Sequence, residues 1–128
     1  MAEMTEPERD NFLGEVRVGV LAIERADKGP LCAPVWYRYS SETGFEIAMA
    51  YASAKSILLR RHGAATICVQ DEQLPYRYVT AEGEVSVELS PQTSYVRRMQ
   101  HLLAERYNLA TASTGREPQR RVIVFQPQ

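Results

Sequence analysis

The sequence predicts a mainly β fold, a β-barrel with a few helices in which six antiparallel strands close into a small Greek-key or split barrel. Three observations carry this expectation. Apolar residues recur with a period of two over most of the chain. The strand-like runs are separated by short turn clusters, which join antiparallel neighbours rather than parallel ones. Gly-rich phosphate loops of the GxGxxG or Walker kind are missing, so a doubly wound α/β fold is disfavoured. At 128 residues, with 45% hydrophobic and 24% charged residues, the chain has the size and composition of one globular domain spanning residues 1–128.

The elements follow in order. Thr5-Glu6-Pro7-Glu8 offers a cap, a proline inside the first turn and acids at the positive helix end, so a helix is expected over residues 6–14. Val16 to Ile23 reads as a strand that becomes buried on both faces. The turn cluster Ala26-Asp27-Lys28-Gly29-Pro30 joins it to a second strand, Leu31 to Tyr39, making a hairpin. After Ser40 to Gly44, the run Phe45 to Tyr51 alternates as a third strand. Ser53 then precedes a short helix, Ala54 to Arg61, which ends near His62-Gly63 with its basic residues in the last turn.

Ala64 to Val69 is a compact apolar strand, and Tyr76 to Leu89 alternates as one unusually long strand with a single parity facing the core. Ser90-Pro91 opens a second longer helix running to Tyr107, with Val96, Met99, Leu102, Leu103 and Arg106 at helical spacing. Asn108 to Pro118 reads as a polar loop. Arg121 to Phe125 is a last strand, placed to close a sheet edge.

Fifteen basic and sixteen acidic side chains leave a net charge of −1, which provides no field to draw the chain onto nucleic acid or an anionic membrane. No apolar run approaches the roughly 18 residues that span a bilayer, and the acidic N-terminus lacks the pattern of a secretory signal. A cytoplasmic protein is expected. Cys32 and Cys68 have neither CxxC spacing nor a neighbouring His, so they read as reduced, buried thiols and no metal site is expected.

The segment from Tyr51 to Arg61 carries the most chemical information. A strand feeding a helix whose first turn holds Ser53, Lys55 and Ser56 presents unpaired N–H groups, two hydroxyls and an ammonium, the donor set of a phosphate site. The plainer reading is a capping serine beside a solvated lysine. Val35-Trp36-Tyr37 sets adjacent rings on opposite strand faces, one toward the core and one toward a surface or cleft. Glu82-Gly83-Glu84 reads as a solvated strand face. His62 and His101 have no Ser, Cys or Asp partner at a recognisable spacing, so a hydrolase triad is rejected.

This element order resembles the pyridoxamine 5′-phosphate oxidase-like split-barrel flavoproteins, a superfamily that includes flavin/deazaflavin oxidoreductases. The residues that carry the likeness are Val18-Gly19-Val20-Leu21-Ala22, the stretch Gly29 to Tyr37, Ser53-Ala54-Lys55 running into Leu59-Arg60-Arg61, and Ala81-Glu82-Gly83-Glu84-Val85. The resemblance implies an FMN-binding type of split barrel, a homodimer with the cofactor at its interface, and hydride transfer to a small-molecule substrate. It implies FMN as cofactor, with the deazaflavin coenzyme, factor 420, as the alternative. Ser53, Lys55 and Ser56 would hold the phosphate, while Val35, Trp36 and Tyr37 would line the ring. Gln70 and Tyr78 would approach from the other subunit, and Tyr51 or Tyr78 would serve as proton source. A non-catalytic split barrel that carries a flavin, haem or other planar ligand is the rival reading.

Overall fold

The computed structural model describes residues 3–15, 17–89, 92 and 94–125, with Phe125 described by its backbone alone. The chain divides into two compact units, residues 1–83 and 84–128. Among the described residues, three helices accompany nine short antiparallel strands, so the fold is mainly β as expected. The strand count and several boundaries differ from the six expected.

In the first unit, α1 (Glu6–Gly14) starts where Thr5 accepts a hydrogen bond from the Glu8 N–H. Its Phe12 and Leu13 are buried. A four-stranded sheet follows with spatial order β2-β1-β5-β6, built from β1 (Val18–Ile23), β2 (Leu31–Trp36), β5 (Ala64–Asp71) and β6 (Arg77–Glu84). Its register sets Gly19 opposite Val35 and Val69, and Leu21 opposite Ala33 and Ile67. Gly19, Leu21, Ile23, Val35, Ile67 and Val69 are therefore the inward set, and each is buried.

The strand β1 was expected to alternate at first and to become covered on both sides at Leu21 to Ile23, where Leu21 and Ile23 are buried and Ala22 is half-buried. Val18 and Val20, the earlier apolar parity, stand exposed beside Pro34 and Trp36 on the outer face. Cys32, expected to be buried, is exposed on that face, and Cys68 is half-buried; both are free thiols. Val16 lies outside the described residues.

Two expected strands are shorter than their sequence pattern. The chain breaks at Tyr37, so the run to Tyr39 becomes β2 and a separate β3 (Arg38–Ser40). β3 pairs with β4 (Gly44–Glu46) in a two-stranded sheet of its own, and the expected strand through Tyr51 stops at Glu46. Tyr39 Oη donates to Asp10 at 2.8 Å and so ties this hairpin to α1. The helix α2 (Ala54–His62) follows, packed on β1 and β5, and stops where Gly63 takes a left-handed φ of 81°. That conformation strains any residue with a side chain.

In the second unit, the long strand also breaks. Its continuation β7 (Ser86–Glu88) pairs with β9 (Arg121–Phe125) in a separate three-stranded sheet ordered β7-β9-β8. β9 is thus the centre of this sheet and not an edge. β8 (Ala110–Thr114) occupies the segment expected to be a loop; its small polar alternation, Ala-Thr-Ala-Ser-Thr, carries no strong apolar signal. The helix α3 (Ser94–Arg106) packs on β8 and β9, while Ser90 and Pro91, its expected start, lie outside the described residues.

The buried face of α3 is not its apolar one. Arg97 and Ala104 are buried, whereas Val96, Met99, Leu102 and Leu103 are exposed. Arg97 is accommodated because its guanidinium donates to the Gln92 and Arg120 carbonyls and to the Glu117 carboxylate.

Gly19 is the tightest point of the four-stranded sheet, since an added Cβ would lie 2.9 Å from Ile67 Cδ1 and 3.3 Å from Val69 Cγ2. Gly19→Val should destabilise the protein by about 1 to 3 kcal/mol, the usual cost of overpacking a closed core. Chemical denaturation with unchanged m-value is the check.

Candidate functional site

The N-terminus of α2 is assembled by local forces. A turn precedes it, with the Ser53 N–H donating to Ala50 O at 3.0 Å. Ser53 Oγ then caps the helix by accepting from the Ser56 N–H at 3.2 Å, and Ile57 N makes the first full helical bond to Ser53 O. The Ala54 and Lys55 N–H groups precede that bond and point out of the first turn. No acidic residue stands in this turn, Lys55 is half-buried at its second position, and Ser56 is buried. The first turn therefore combines a positive helix end with two serines and a lysine.

Arg60 was not anticipated. One turn further along α2, it reaches back to donate to Tyr51 O at 2.8 Å and lays its guanidinium 3.5 Å from the centroid of the Tyr51 ring. Tyr51 remains exposed, so the pair forms a flat, positively charged shoulder before the helix. The signal for it was present in the Tyr51 to Arg60 separation, but it becomes visible only once the turn at Ala50–Ser53 doubles the chain back.

The ring-wall residues divide between faces. Val35 is 7% exposed and points into the core, leaving its backbone as the part available to a ligand. β2 is an edge of its sheet, so alternate backbone N–H and C=O groups of this strand face away from β1. Trp36 is 68% exposed on the outer face. Tyr37 turns the other way. Its ring lies 5.3 Å from Phe45, and its buried hydroxyl has no hydrogen-bond partner among the described residues. Burial pushes the Tyr37 hydroxyl above its ordinary pKa, with Arg17 opposing and Glu15 adding to the rise, so it stays protonated at neutral pH.

Gln70 and Tyr78 are both exposed, and Gln70 Oε1 accepts from Tyr76 Oη at 3.0 Å. The structure thus joins Ser53, Lys55, Ser56 and Tyr51 at one helix end. Trp36, with Val18 and Val20 beside it, belongs to the outer sheet face. Glu82, Gly83 and Glu84 are exposed, as a solvated strand face requires.

Two further polar clusters were missed. His101 is held from both sides, its Nδ1 2.7 Å from Thr111 Oγ1 and its Nε2 2.9 Å from Ser113 Oγ, because β8 brings alternate hydroxyls to one face. In the first unit, Arg17 and Arg77 both pair with Asp71, at 3.7 Å and 2.8 Å, and both guanidiniums lie over the Phe12 ring. Among the described residues no His, Cys, Asp and Glu cluster has the makings of a metal site, and no helix is long and apolar enough to cross a membrane.

With this geometry in place, three likenesses to known proteins bear on the chain. A solved structure of an F420 reductase superposes with a TM-score of 0.59 at 22% identity, covering 100% of this chain and 96% of that one. This likeness shows the fold, a mainly β split barrel of antiparallel strands. The R-3-H domain family matches residues 77–126, which take in β6 and the described elements of the second unit. Arg97 and His101, the inward polar pair of α3, fall in that match. A protein of Porphyra purpurea described as uncharacterized protein ycf45 is 32% identical over 57 residues, which is 44% of this chain. The chain spans about a tenth (10%) of that curated relative's length.

The Arg77 hydrogen bond, followed by the Gln73 N–H, holds the Asp71 carboxyl below the ordinary carboxylate range. A depressed folded pKa contributes stability above the unfolded value, which is lost as the pH falls through the folded one. Asp71→Asn should therefore melt lower than the parent by a constant margin at neutral pH, and the margin should shrink below about pH 4, the ordinary Asp value. Thermal melts from pH 7 to pH 3 provide the test.

Proposed function

We propose that the chain is a pyridoxamine 5′-phosphate oxidase-like split-barrel oxidoreductase that binds a deazaflavin coenzyme or FMN and transfers hydride to a small organic acceptor. The carrying observation is the full-length likeness of its fold to an F420 reductase, supported by the phosphate-compatible end of α2. The donor set there fits an anionic group: first-turn N–H groups, Ser53, Ser56 and Lys55, with the Arg60 guanidinium behind.

When bound, the cofactor supplies the hydride chemistry. The protein's contribution is placement. Lys55 and the α2 N–H groups anchor the phosphate end, the open edge of β2 offers backbone donors and acceptors along the ring, and Trp36 provides a flat apolar surface. Tyr51 and Tyr78, with exposed hydroxyl-bearing rings, are the proton donors this reading assigns. A homodimer in the cytoplasm belongs to the same proposal. The exposed apolar sheet face at Val18, Val20 and Trp36 is the surface it offers to a second subunit, which would bring Gln70 and Tyr78 toward the cofactor.

One observation favours a second reading. The R-3-H domain match over residues 77–126 supports a nucleic-acid-binding role, and the second unit's six arginines outnumber its four glutamates despite the overall charge of −1. Binding of this kind weakens steeply as salt rises.

Titration of the purified protein with FMN and with the deazaflavin coenzyme, followed by fluorescence, tests the first reading. One of them should bind at micromolar or tighter affinity, and Lys55→Ala should weaken that binding by about 1 to 3 kcal/mol, as for the loss of a charged hydrogen-bond partner. Reoxidation of the reduced cofactor no faster than in buffer would assign the protein to the carrier class. Binding of neither cofactor, together with salt-sensitive binding of a single-stranded oligonucleotide, would favour the second reading.

A further inference from the structure

We propose that the outward face of α3 is a self-association surface, on which α3 of a second copy of this chain packs antiparallel about a two-fold axis near Leu102. This goes beyond the cofactor reading and does not depend on it.

Tyr95, Met99, Leu102 and Leu103 recur at helical spacing and form one stripe along α3, with Leu102 53% and Leu103 57% exposed. The opposite side of the helix is anchored. Arg97 and Ala104 are buried and His101 reaches Thr111 and Ser113, so α3 cannot roll to hide the stripe without breaking those bonds. An exposed apolar stripe on a helix anchored by its polar face is the mark of a docking surface.

Charge identifies the occupant. Arg98 and Glu105 are seven residues apart, two turns, and so share one flank of the stripe. In an antiparallel pair related by a two-fold axis, each flank meets the same flank of the other helix. Arg98 then faces Glu105 of the partner subunit, and the symmetry supplies the pair twice. A parallel pair would place the flank of Arg98 and Glu105 against the Val96 and Leu103 side and leave both charges unmatched. Flanking charges of this kind select partner and orientation in paired helices.

The test uses the full chain without added cofactor. In a background of Cys32→Ser and Cys68→Ser, Leu102→Cys places a thiol beside the proposed axis, and Glu72→Cys places one on an exposed loop of the other unit as control. Under mild oxidation, the Leu102→Cys protein should form a disulfide-linked dimer at least about tenfold faster than the control, as expected for thiols held together. Adding Arg98→Glu or Glu105→Arg alone should slow this several-fold, and the two together should restore it. Both substitutions lie on the exposed flank and leave the buried side of α3 intact. Cross-linking at the control rate, single reversals without effect, or failure of the double reversal to restore the rate would each overturn the proposal. Dimer formation that requires an added oligonucleotide would also overturn it and assign the face to nucleic acid.

Discussion

The first unit depends on β1 being paired on both of its long edges. Val18 to Ile23 is matched in register to β2 on one side, and Gly19 to Ala22 to β5 on the other. A slip of one residue would send Leu21 and Ile23 to the outer face and bring Val18 and Val20 inward, exchanging the whole buried set. Gly19 helps fix that register, because Ile67 and Val69 occupy the space where its side chain would be. The inward face so defined accommodates α2, with Leu59 and Ser56 buried, and the direction in which the α2 N-terminus emerges follows from it.

Features governed by near neighbours were legible in the sequence. The Thr5 and Ser53 caps, the Gly63 stop and the β1–β2 hairpin each depend on residues a few positions apart, and each appears where its pattern indicates. The placement of Ser53, Lys55 and Ser56 in the first turn of α2 is local in the same way, whereas their role toward a phosphate belongs to the proposal. Features governed by distant partners were not legible. Alternation continues through Tyr37 and Val85 without a visible break, yet the pairing partners change at both points, so one apparent strand becomes two. β8 escaped notice because its strand character comes from its pairing with β9 and not from its own composition.

The inner face of α3 was not legible for a sharper reason. Periodicity locates an amphipathic helix but identifies its inner face only by assuming that apolar residues go inward. Here the assumption is reversed, since a buried guanidinium is tolerable when its donors are filled, and Arg97 finds two carbonyls and a carboxylate in the segments around it. Glu117 and Arg120 are twenty or more positions away, Glu117 within the segment that reads as loop and Arg120 just before the last strand. No local pattern announces that those acceptors are waiting, so the choice of face is a tertiary fact.

The energetics of the α2 end also explain why the cofactor proposal needs more than that end. A helix N-terminus contributes about 0.3 to 1 kcal/mol to an exposed anion, rising to about 2 when partly buried. A hydrogen bond to a charged group adds roughly 1.5 to 3 kcal/mol. Micromolar affinity requires about 8 kcal/mol, after the losses of translational and rotational freedom have been met. On that proposal Lys55, the two serines and the first-turn N–H groups would orient a phosphate without reaching that value alone, and the remainder would have to come from burying a flat apolar ring. Trp36, exposed on an open sheet face, offers such surface on one side only. Enclosing the second side takes a further wall, and this is the physical reason that cofactor binding and association through the outer sheet face belong to one hypothesis.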